Sequence, residues 1–409
     1  MFVSCFLCPY ILSKIGIDAR MLGPKQTGIG NYIKNLLCHI LHLDQRNQYF
    51  LFLLPEECLK VNQPQNKNSF SRFYDQLNSA SNIQLIKTTA KWYTFAEQTK
   101  FLLQLLKYDL DLVHFPHFNV PILYPKKFIV TIHDLTQNYF PGRSASSKIR
   151  HWAYKKIFQT AIKKSKKIIA VSNYTKNDIL KCFVFMNRNS CYQALLEKKI
   201  QVIYEGLDEI FFKQHTEKEI KQFQKRYNLS NPYILYIGVW RKHKNLAGLL
   251  YAFKSLREKY QLNYDLCLVG EEHSSYPVKK IIESLGIKDY IKCPGFLKQK
   301  ELPLIYKGSS LYCLPSLREG FGFTPLEAMA CGTPVVSTNT TSLPEVLGEA
   351  AEYFNPNNTD EITEKMAKVL INKSLANELI NKGYQQARKY KWENCAKKTL
   401  EIYQQVLLN

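Results

Sequence analysis

The chain has 409 residues, of which 45% are hydrophobic and 22% are charged. These ordinary globular values exclude disordered, collagen-like and coiled-coil classes, and the length suggests two or three domains. Lys and Arg number 56 against 34 Asp and Glu, a net charge of +22. The 11 cysteines are scattered, many of them in apolar runs, which predicts buried thiols in a reducing cytosol and no metal site.

Short β-rich apolar runs alternate with helix-length amphipathic segments, which predicts parallel sheets covered by helices. The first half offers strands at 14–19, 49–54, 83–88, 111–115, 128–134, 167–172 and 201–206. A second series lies at 233–238, 265–270, 291–296, 311–316, 334–339 and 351–356. Residues 62–82 are predicted to be a polar loop, 184–199 a short insertion and 359–408 nearly all helical. The pattern predicts two doubly wound α/β domains that face each other across a cleft, with ligands at the carboxyl ends of the strands.

The charge is distributed unevenly along the chain. Residues 143–199 contain 14 Lys and Arg against two acidic residues, whereas 231–387 contain 18 against 16. This distribution suggests that the first half faces a membrane leaflet, a phospholipid-linked acceptor or nucleic acid, and a merely solvated helix face is the alternative. No segment has the roughly 18 uncharged residues of a spanning helix, and residues 1–12 lack the basic region of a signal peptide, so a soluble or peripheral protein is expected.

Glycine and histidine residues follow two strands of the first half. Gly28 and Gly30 stand at the mouth of a helix, where free amide groups can meet a phosphate, although a tight turn alone would also explain them. The third glycine and the acidic residue of a dinucleotide fingerprint are missing. His133 stands at the end of its strand, where an imidazole can donate to a sugar hydroxyl or a phosphate, and a structural histidine is the alternative.

The second half carries a cationic segment and a pair of carboxylates. Arg241 and Lys244 lie between a strand and a helix predicted to start at Asn245, which makes an anion site at a helix N-terminus. Further along, Glu319 and Glu327 flank the turn GFGF, and the second of them lies on the following helix. A carboxylate on the first turn of such a helix can bind vicinal ribose hydroxyls.

The run from Glu319 to Val336 resembles the E-x7-E signature of retaining glycosyltransferases of family 4, which have the GT-B fold of two facing Rossmann-like domains. Other blocks resemble the family in its usual order: IGIDARMLGPKQTGIGNY, VTIHDLTQNYFP, IIAVSNYTKNDI, VIYEGLDEIF, YIGVWRKHKNLAGLLYAF, CPGFLKQKELPLIY and TTSLPEVLGEAAEYF. The resemblance implies an acceptor-binding domain over 1–212 and a nucleotide-sugar-binding domain over 213–389. It also implies that a C-terminal helix at 390–409 packs back on the first domain.

Residue roles also follow from the resemblance. It implies that His133 and Glu319 lie at the donor sugar, that Arg241 and Lys244 neutralise the departing diphosphate, and that Glu327 binds the ribose. The other donor-site residues that it implies are Gly28, Gly30, Phe296, Leu297, Gly320, Phe321, Gly322, Phe323 and Thr324. Two positions depart from the family pattern: Thr324 stands where proline is common, and Glu205 where asparagine or proline is common.

The resemblance implies a retaining hexosyltransferase of cell-surface glycan biosynthesis that moves mannose from GDP-mannose to a lipid-linked saccharide or polysaccharide. The prediction of GDP-mannose depends on the resemblance of the N-terminal blocks, and UDP-sugars remain open as alternative donors. Neither a cofactor nor a metal is expected, because Asp109 and Asp111, which spell DxD, precede their strand at the edge opposite the crevice. The expected location is the cytoplasm, on the inner face of the membrane. The alternative is a transferase-like scaffold without activity, or a basic protein that binds nucleic acid or an anionic membrane.

Overall fold

Two parallel β-sheets form the frame of the molecule in a computed structural model, which describes residues 12–23, 27–61, 71–140, 145–187, 190–272 and 276–409. The strands of these residues are β1 (Lys14–Asp18), β2 (Gln48–Leu53), β3 (Ile83–Lys87), β4 (Leu112–Phe115), β5 (Phe128–Ile132), β6 (Lys167–Ala170), β7 (Ile200–Val202), β8 (Tyr233–Ile237), β9 (Asp265–Val269), β10 (Ile291–Gly295), β11 (Leu311–Leu314), β12 (Val335–Thr338) and β13 (Ala351–Phe354). Every predicted strand is confirmed. The predicted runs extend beyond the C-terminal ends of the strands, because the polar residues there already belong to the loops.

Both sheets are doubly wound, as predicted. In the described residues the strand orders are β3-β2-β1-β4-β5-β6-β7 and β10-β9-β8-β11-β12-β13. All of these neighbours pair in parallel, with β1 next to β4 in the first sheet and β8 next to β11 in the second. The chain order reverses at these two central pairs, and such a switch point leaves a crevice at the carboxyl ends of the strands.

Helices cover the sheets. The α-helices of the described residues are α1 (Thr27–Leu43), α2 (Pro55–Val61), α3 (Ser71–Ser79), α4 (Leu102–Lys107), α5 (Thr136–Tyr139), α6 (Ala145–Lys164), α7 (Asn173–Asn187), α8 (Ser190–Lys199), α9 (Glu217–Arg226), α10 (Leu246–Tyr260), α11 (Val278–Leu285), α12 (Leu302–Lys307), α13 (Phe323–Ala330), α14 (Leu343–Leu347), α15 (Thr359–Ile371), α16 (Lys373–Ala387) and α17 (Trp392–Leu408). Alternate residues of β2 enter cores on opposite faces of the first sheet, Leu51 on one face and Phe52 on the other. No helix of the described ranges has the length and apolar character that a membrane crossing requires.

Two segments differ from the expected loops. Residues 62–70 of the predicted polar loop lie outside the described residues, and 71–79 form α3 instead of a loop, because Phe73, Tyr74 and Leu77 share one helix face and are buried. The described part of 184–199 continues α7 to Asn187 and then forms α8. The helical end of the chain is confirmed by α15, α16 and α17.

The last helix, α17, packs on the first sheet. Its buried apolar residues belong to the same core as those of β1 and β2. The hydroxyl of Tyr403 lies 2.7 Å from Nδ1 of His114 on β4. The chain therefore crosses between the domains twice. The two crossing segments are hydrogen-bonded to each other, because the amide of Leu207 donates to the carbonyl of Tyr390 at 3.0 Å.

Candidate active site

A lysine and a glutamate meet at the switch point of the second sheet. Lys244 follows β8 and Glu319 follows β11, and Lys244 Nζ lies 2.7 Å from Glu319 Oε1. Their side chains are 22% and 15% exposed, so the pair is half-buried in the crevice and open to a ligand. A cation held by one carboxylate can also stabilise negative charge that develops on a departing group.

Two glycines shape the loop after Glu319. A Cβ atom on Gly320 would lie 1.9 Å from the carbonyl oxygen of His133, so only glycine permits this approach of the two domains. Gly322 precedes α13 with a φ of 105°, a left-handed conformation that favours glycine. The structure therefore brings the backbone of His133 next to Gly320, the residue that follows Glu319.

Glu327 lies on the first turns of α13 and points to α12. Tyr306 donates a hydrogen bond of 2.7 Å to Glu327 Oε2. Burial raises the pKa of Glu327 to about 7, opposed by the Tyr306 hydrogen bond and reinforced by the charge of Asp208. A carboxylate that is poorly solvated and only partly paired has acceptor capacity left for ligand hydroxyls.

His133 has partners on both ring nitrogens. Nδ1 lies 2.9 Å from Glu205 Oε1, and Nε2 lies 2.8 Å from the carbonyl oxygen of Pro116. Burial opposes the charged ring, but the hydrogen bond and charge of Glu205 raise the pKa of His133 overall. Glu205, which departs from the family pattern, thus pairs with a predicted site residue. The contact of the imidazole with a donor sugar stays a prediction.

The other predicted residue of the cationic segment, Arg241, lies in the loop that follows β8. Arg241 is exposed and precedes a short 3-10 helix over Lys242–Lys244. Burial and the neighbouring Lys244 lower the pKa of His243 to about 4, so its ring is neutral. Asn245 has a left-handed backbone and ends the loop, and α10 begins at the next residue.

The remaining predicted donor residues lie in the first turn of α1, in the loop after β10, and in the loop after Glu319 with the start of α13. Gly28 is exposed and Gly30 buried in the first turn of α1, at the carboxyl end of β1. After β10, Phe296 presents a ring that is 62% exposed, whereas Leu297 is 3% exposed and belongs to the core of the second domain. The ring of Phe296 is therefore accessible to a ligand, whereas the side chain of Leu297 is covered by the core. The contact of either residue with the donor stays a prediction. Phe321, Phe323 and Thr324 lie in and directly after the Glu319 loop.

The DxD carboxylates lie away from the crevice, as expected. Asp109 forms an ion pair of 2.6 Å with Lys126, and Asp111 Oδ2 accepts a hydrogen bond from the amide of Lys14 at the start of β1. The start of a strand is the edge opposite the carboxyl ends. Within the described ranges no group of three or more His, Cys, Asp or Glu side chains is arranged to hold a metal ion.

Sequence reasoning missed the contacts that join the two domains beside the site. Arg318 donates to the carboxylate of Asp178 on α7, and its guanidinium lies 3.5 Å from the ring centre of Tyr139. Arg318 is 9% exposed and Asp178 5% exposed, so this pair is buried between the domains. One feature of the sequence could have drawn attention to Arg318: it directly precedes Glu319.

Comparisons with known proteins agree with this geometry. Residues 81–209 match the family model described as Glycosyltransferase Family 4, and residues 217–386 match the model described as Glycosyl transferases group 1. The O-antigen chain mannosyltransferase B of Escherichia coli is 28% identical over 292 residues, which are 71% of this chain and 73% of that protein. The serotype-specific mannosyltransferase WbdA of Escherichia coli is 31% identical over 196 residues, which are 47% of this chain and 24% of that protein.

The fold is shared with solved structures. Anabaena Alr3699/HepE in complex with UDP and glucose matches with a TM-score of 0.71 at 14% identity, over 96% of this chain and 100% of that one. Two facing doubly wound parallel-sheet domains define the GT-B fold. The two family models match one domain each and follow one another along the chain. The chain belongs to family 4 of the glycosyltransferases.

Proposed function

We propose that this protein is a retaining hexosyltransferase that moves mannose from GDP-mannose to a lipid-linked saccharide or polysaccharide in the biosynthesis of a cell-surface glycan. The observation that carries the proposal is the Lys244–Glu319 pair at the switch point, with Glu327 on the helix that follows. In this assignment residues 1–212 bind the acceptor and residues 213–389 bind the donor. The inactive scaffold of the alternative would need neither the half-buried cation nor its carboxylate.

The proposed reaction exchanges one glycosidic bond for another. The bond between the anomeric carbon and the diphosphate oxygen breaks, and the electron pair leaves with the diphosphate. The acceptor hydroxyl oxygen attacks the anomeric carbon from the same face, and the departing phosphate takes its proton. Lys244 and Arg241 stabilise the charge on the leaving group without a metal, and Glu319 lies under the sugar. The proposal assigns the ribose hydroxyls to the carboxylate of Glu327, whose Oε2 also accepts a hydrogen bond from Tyr306.

Mannose as the transferred sugar is supported by relatives that are named mannosyltransferases. The solved neighbour that holds UDP and glucose keeps UDP-sugars as the competing donors. The nucleotide and the sugar are therefore tested separately.

The test combines a thermal-shift screen with a transfer assay. Wild type and Lys244→Gln are screened against GDP, UDP, ADP and their sugars, with Lys254→Gln as the control, because Lys254 lies on α10 and pairs only with Glu258 among the described residues. A ligand at 100 times its dissociation constant stabilises a protein by about 2.7 kcal/mol. We expect stabilisation by GDP compounds in wild type and control, and a loss of transfer from GDP-mannose of roughly 100-fold in Lys244→Gln.

Other outcomes of this screen change the proposal in defined ways. Selective stabilisation by UDP compounds would keep the enzyme class and discard GDP-mannose. The absence of any shift and of any transfer from every donor, with lipid-linked acceptors present, would contradict the enzyme and favour the scaffold.

We also propose that the first domain rests on the anionic inner face of the cytoplasmic membrane. Trp152 on α6 is 69% exposed, and Lys148, Lys155 and Lys156 on the same helix are exposed. Trp is typical of membrane interfaces, and lysines near an anionic surface are attracted to it. A lipid-linked acceptor would reach the crevice from such a surface.

A further inference from the structure

A carboxylate of the second domain caps a helix of the first domain. Glu345 on α14 accepts from the amide of Asn173 at 2.7 Å and from the amide of Tyr174 at 2.9 Å. The side-chain amide of Asn173 and the hydroxyl of Tyr204 also donate to it, at 3.0 Å and 2.9 Å. The first amides of a helix lack partners within the helix, and a negative charge at this end is favourable.

The first domain satisfies only part of this helix end by itself. Ser172 Oγ accepts from the amide of Thr175 at 3.0 Å, and the Ser172 carbonyl accepts from the amide of Lys176 at 3.0 Å. The amides of Asn173 and Tyr174 depend on Glu345. The first turn of α7 is therefore complete only when the second domain is docked against it.

The same turn holds the loop of the candidate catalytic glutamate. Ser172 Oγ donates to the carbonyl of Gly320 at 2.8 Å, and Thr175 Oγ1 donates to it at 3.2 Å. Ser172 and Thr175 are 0% and 1% exposed, so water does not compete for these bonds. Gly320 directly follows Glu319.

The segment before Glu345 holds this loop from the other side. Thr341 Oγ1 accepts from the amide of Glu319 at 3.3 Å. Ser342 Oγ donates to the carbonyls of Glu319 at 3.1 Å and Phe321 at 3.2 Å. The Glu319 loop is thus hydrogen-bonded both to the first turn of α7 and to the segment that precedes α14. Glu345 joins these two elements to each other.

We propose that Glu345 is a positioning residue, which couples the docking of the two domains to the orientation of Glu319 against Lys244. The inference rests on the proposed function only for its effect on the rate of transfer. It gives a role to the blocks VSNYTKND and TTSLPEV, which carry none of the predicted site residues.

The test uses Glu345→Gln in the full chain. This change keeps the size of the side chain but turns one acceptor oxygen into an NH2 group facing a backbone amide, so at least one bond to α7 is lost. The matched control is Glu349→Gln, because Glu349 is a 91% exposed carboxylate a few residues further along that pairs with Lys382. Hydrogen–deuterium exchange is followed in peptides covering 172–178 and 317–323.

We expect faster exchange in both peptides for Glu345→Gln and in neither for the control. With saturating nucleotide sugar, kcat should fall roughly 10- to 100-fold, as expected for the loss of one or two charge-assisted hydrogen bonds. The KM for the donor should change by less than about threefold, because Lys244 and Glu327 remain.

A second variant, Ser172→Ala, removes the bond to Gly320 directly and leaves Glu345 intact. We expect its effect on kcat to be non-additive with that of Glu345→Gln, because both act through one turn of α7. Faster exchange confined to 172–178, or an unchanged kcat in Glu345→Gln, would overturn the proposal. If the wild-type protein transfers no sugar, the proposed function fails, and the exchange experiment still decides whether Glu345 orders the Glu319 loop.

Discussion

At the scale of single residues, Glu327 combines a cost in stability with a proposed role in binding. Its pKa rises through burial from the ordinary 4.5 to about 7 in the folded protein. Between these pH values the folded state binds more protons than the unfolded state, so the contribution of Glu327 to stability falls as pH rises through this window. Above pH 7 the ionised carboxylate of Glu327 lowers the stability of the folded protein. Such a destabilising group is typical of a binding site.

Glu327→Gln should therefore be more stable than wild type at pH 8, by roughly 1–3 kcal/mol, because it removes the buried charge. The difference should become small toward pH 4, where the wild-type carboxyl is protonated in the folded state and mostly protonated in the unfolded state. Urea unfolding at both pH values measures it, with Glu349→Gln as the exposed control. Donor affinity should change in the opposite direction and fall. A variant that is less stable than wild type at pH 8 would contradict this account.

The sequence predicted which residues follow the strands, and it could not predict their partners. Glu319 and Lys244 are found together because both follow the central strands of a parallel sheet, and this rule is readable in advance. The pairing of His133 with Glu205 joins residues that are far apart in the chain, so no local pattern indicates it. Glu345 was missed for the same reason, since its partners belong to the other domain.

At the scale of elements, the strands were predictable and the packing between elements was not. Apolar runs bounded by glycine and polar residues marked each strand, whereas α3 was missed because its three buried residues stand in a segment dominated by polar ones. The return of α17 to the first sheet followed from family resemblance and not from periodicity. A helix pattern shows an apolar face without showing which core covers it.

The point where the chain crosses between domains gives a prediction at this scale. A Cβ atom on Gly206 would lie 2.2 Å from the backbone nitrogen of Trp392, the first residue of α17. Because the clash is with backbone, it cannot be relieved by a rotamer change, and Gly206→Ala should destabilise the protein by roughly 2–3 kcal/mol. Gly28→Ala is the control for stability, because its Cβ would meet nothing within 4 Å. Equal unfolding midpoints for the two variants would show that the crossing adapts at no cost.

At the scale of the whole molecule, the fold divides the basic stretch between two edges of the first domain. Tyr154 on α6 packs against Phe118 with ring centres 4.9 Å apart, so the first half of α6 lies level with the carboxyl end of β4, near the crevice. The second half of α6 runs to the opposite edge, where the amide of Lys166 donates to the carbonyl of Phe128 at the start of β5. The count of charges along the sequence cannot separate these two edges.

This division makes the proposed membrane contact testable with a matched pair of variants. The first variant combines Trp152→Ser, Lys155→Gln and Lys156→Gln and so changes the edge near the crevice. The second variant neutralises the opposite edge by substituting Gln for four lysines: Lys163, Lys164, Lys166 and Lys167. Each lysine near an anionic leaflet contributes about 1 kcal/mol, so the first variant should lose at least roughly twentyfold in binding to phosphatidylserine vesicles at low salt.

The second variant should bind these vesicles almost as the wild type does, although it loses more charge, because a lipid-linked acceptor must enter the crevice and the far edge points away from it. Co-sedimentation with vesicles of graded anionic content measures both. Two results would contradict the placement. One is binding that ignores anionic lipid, and the other is a greater loss in the second variant than in the first.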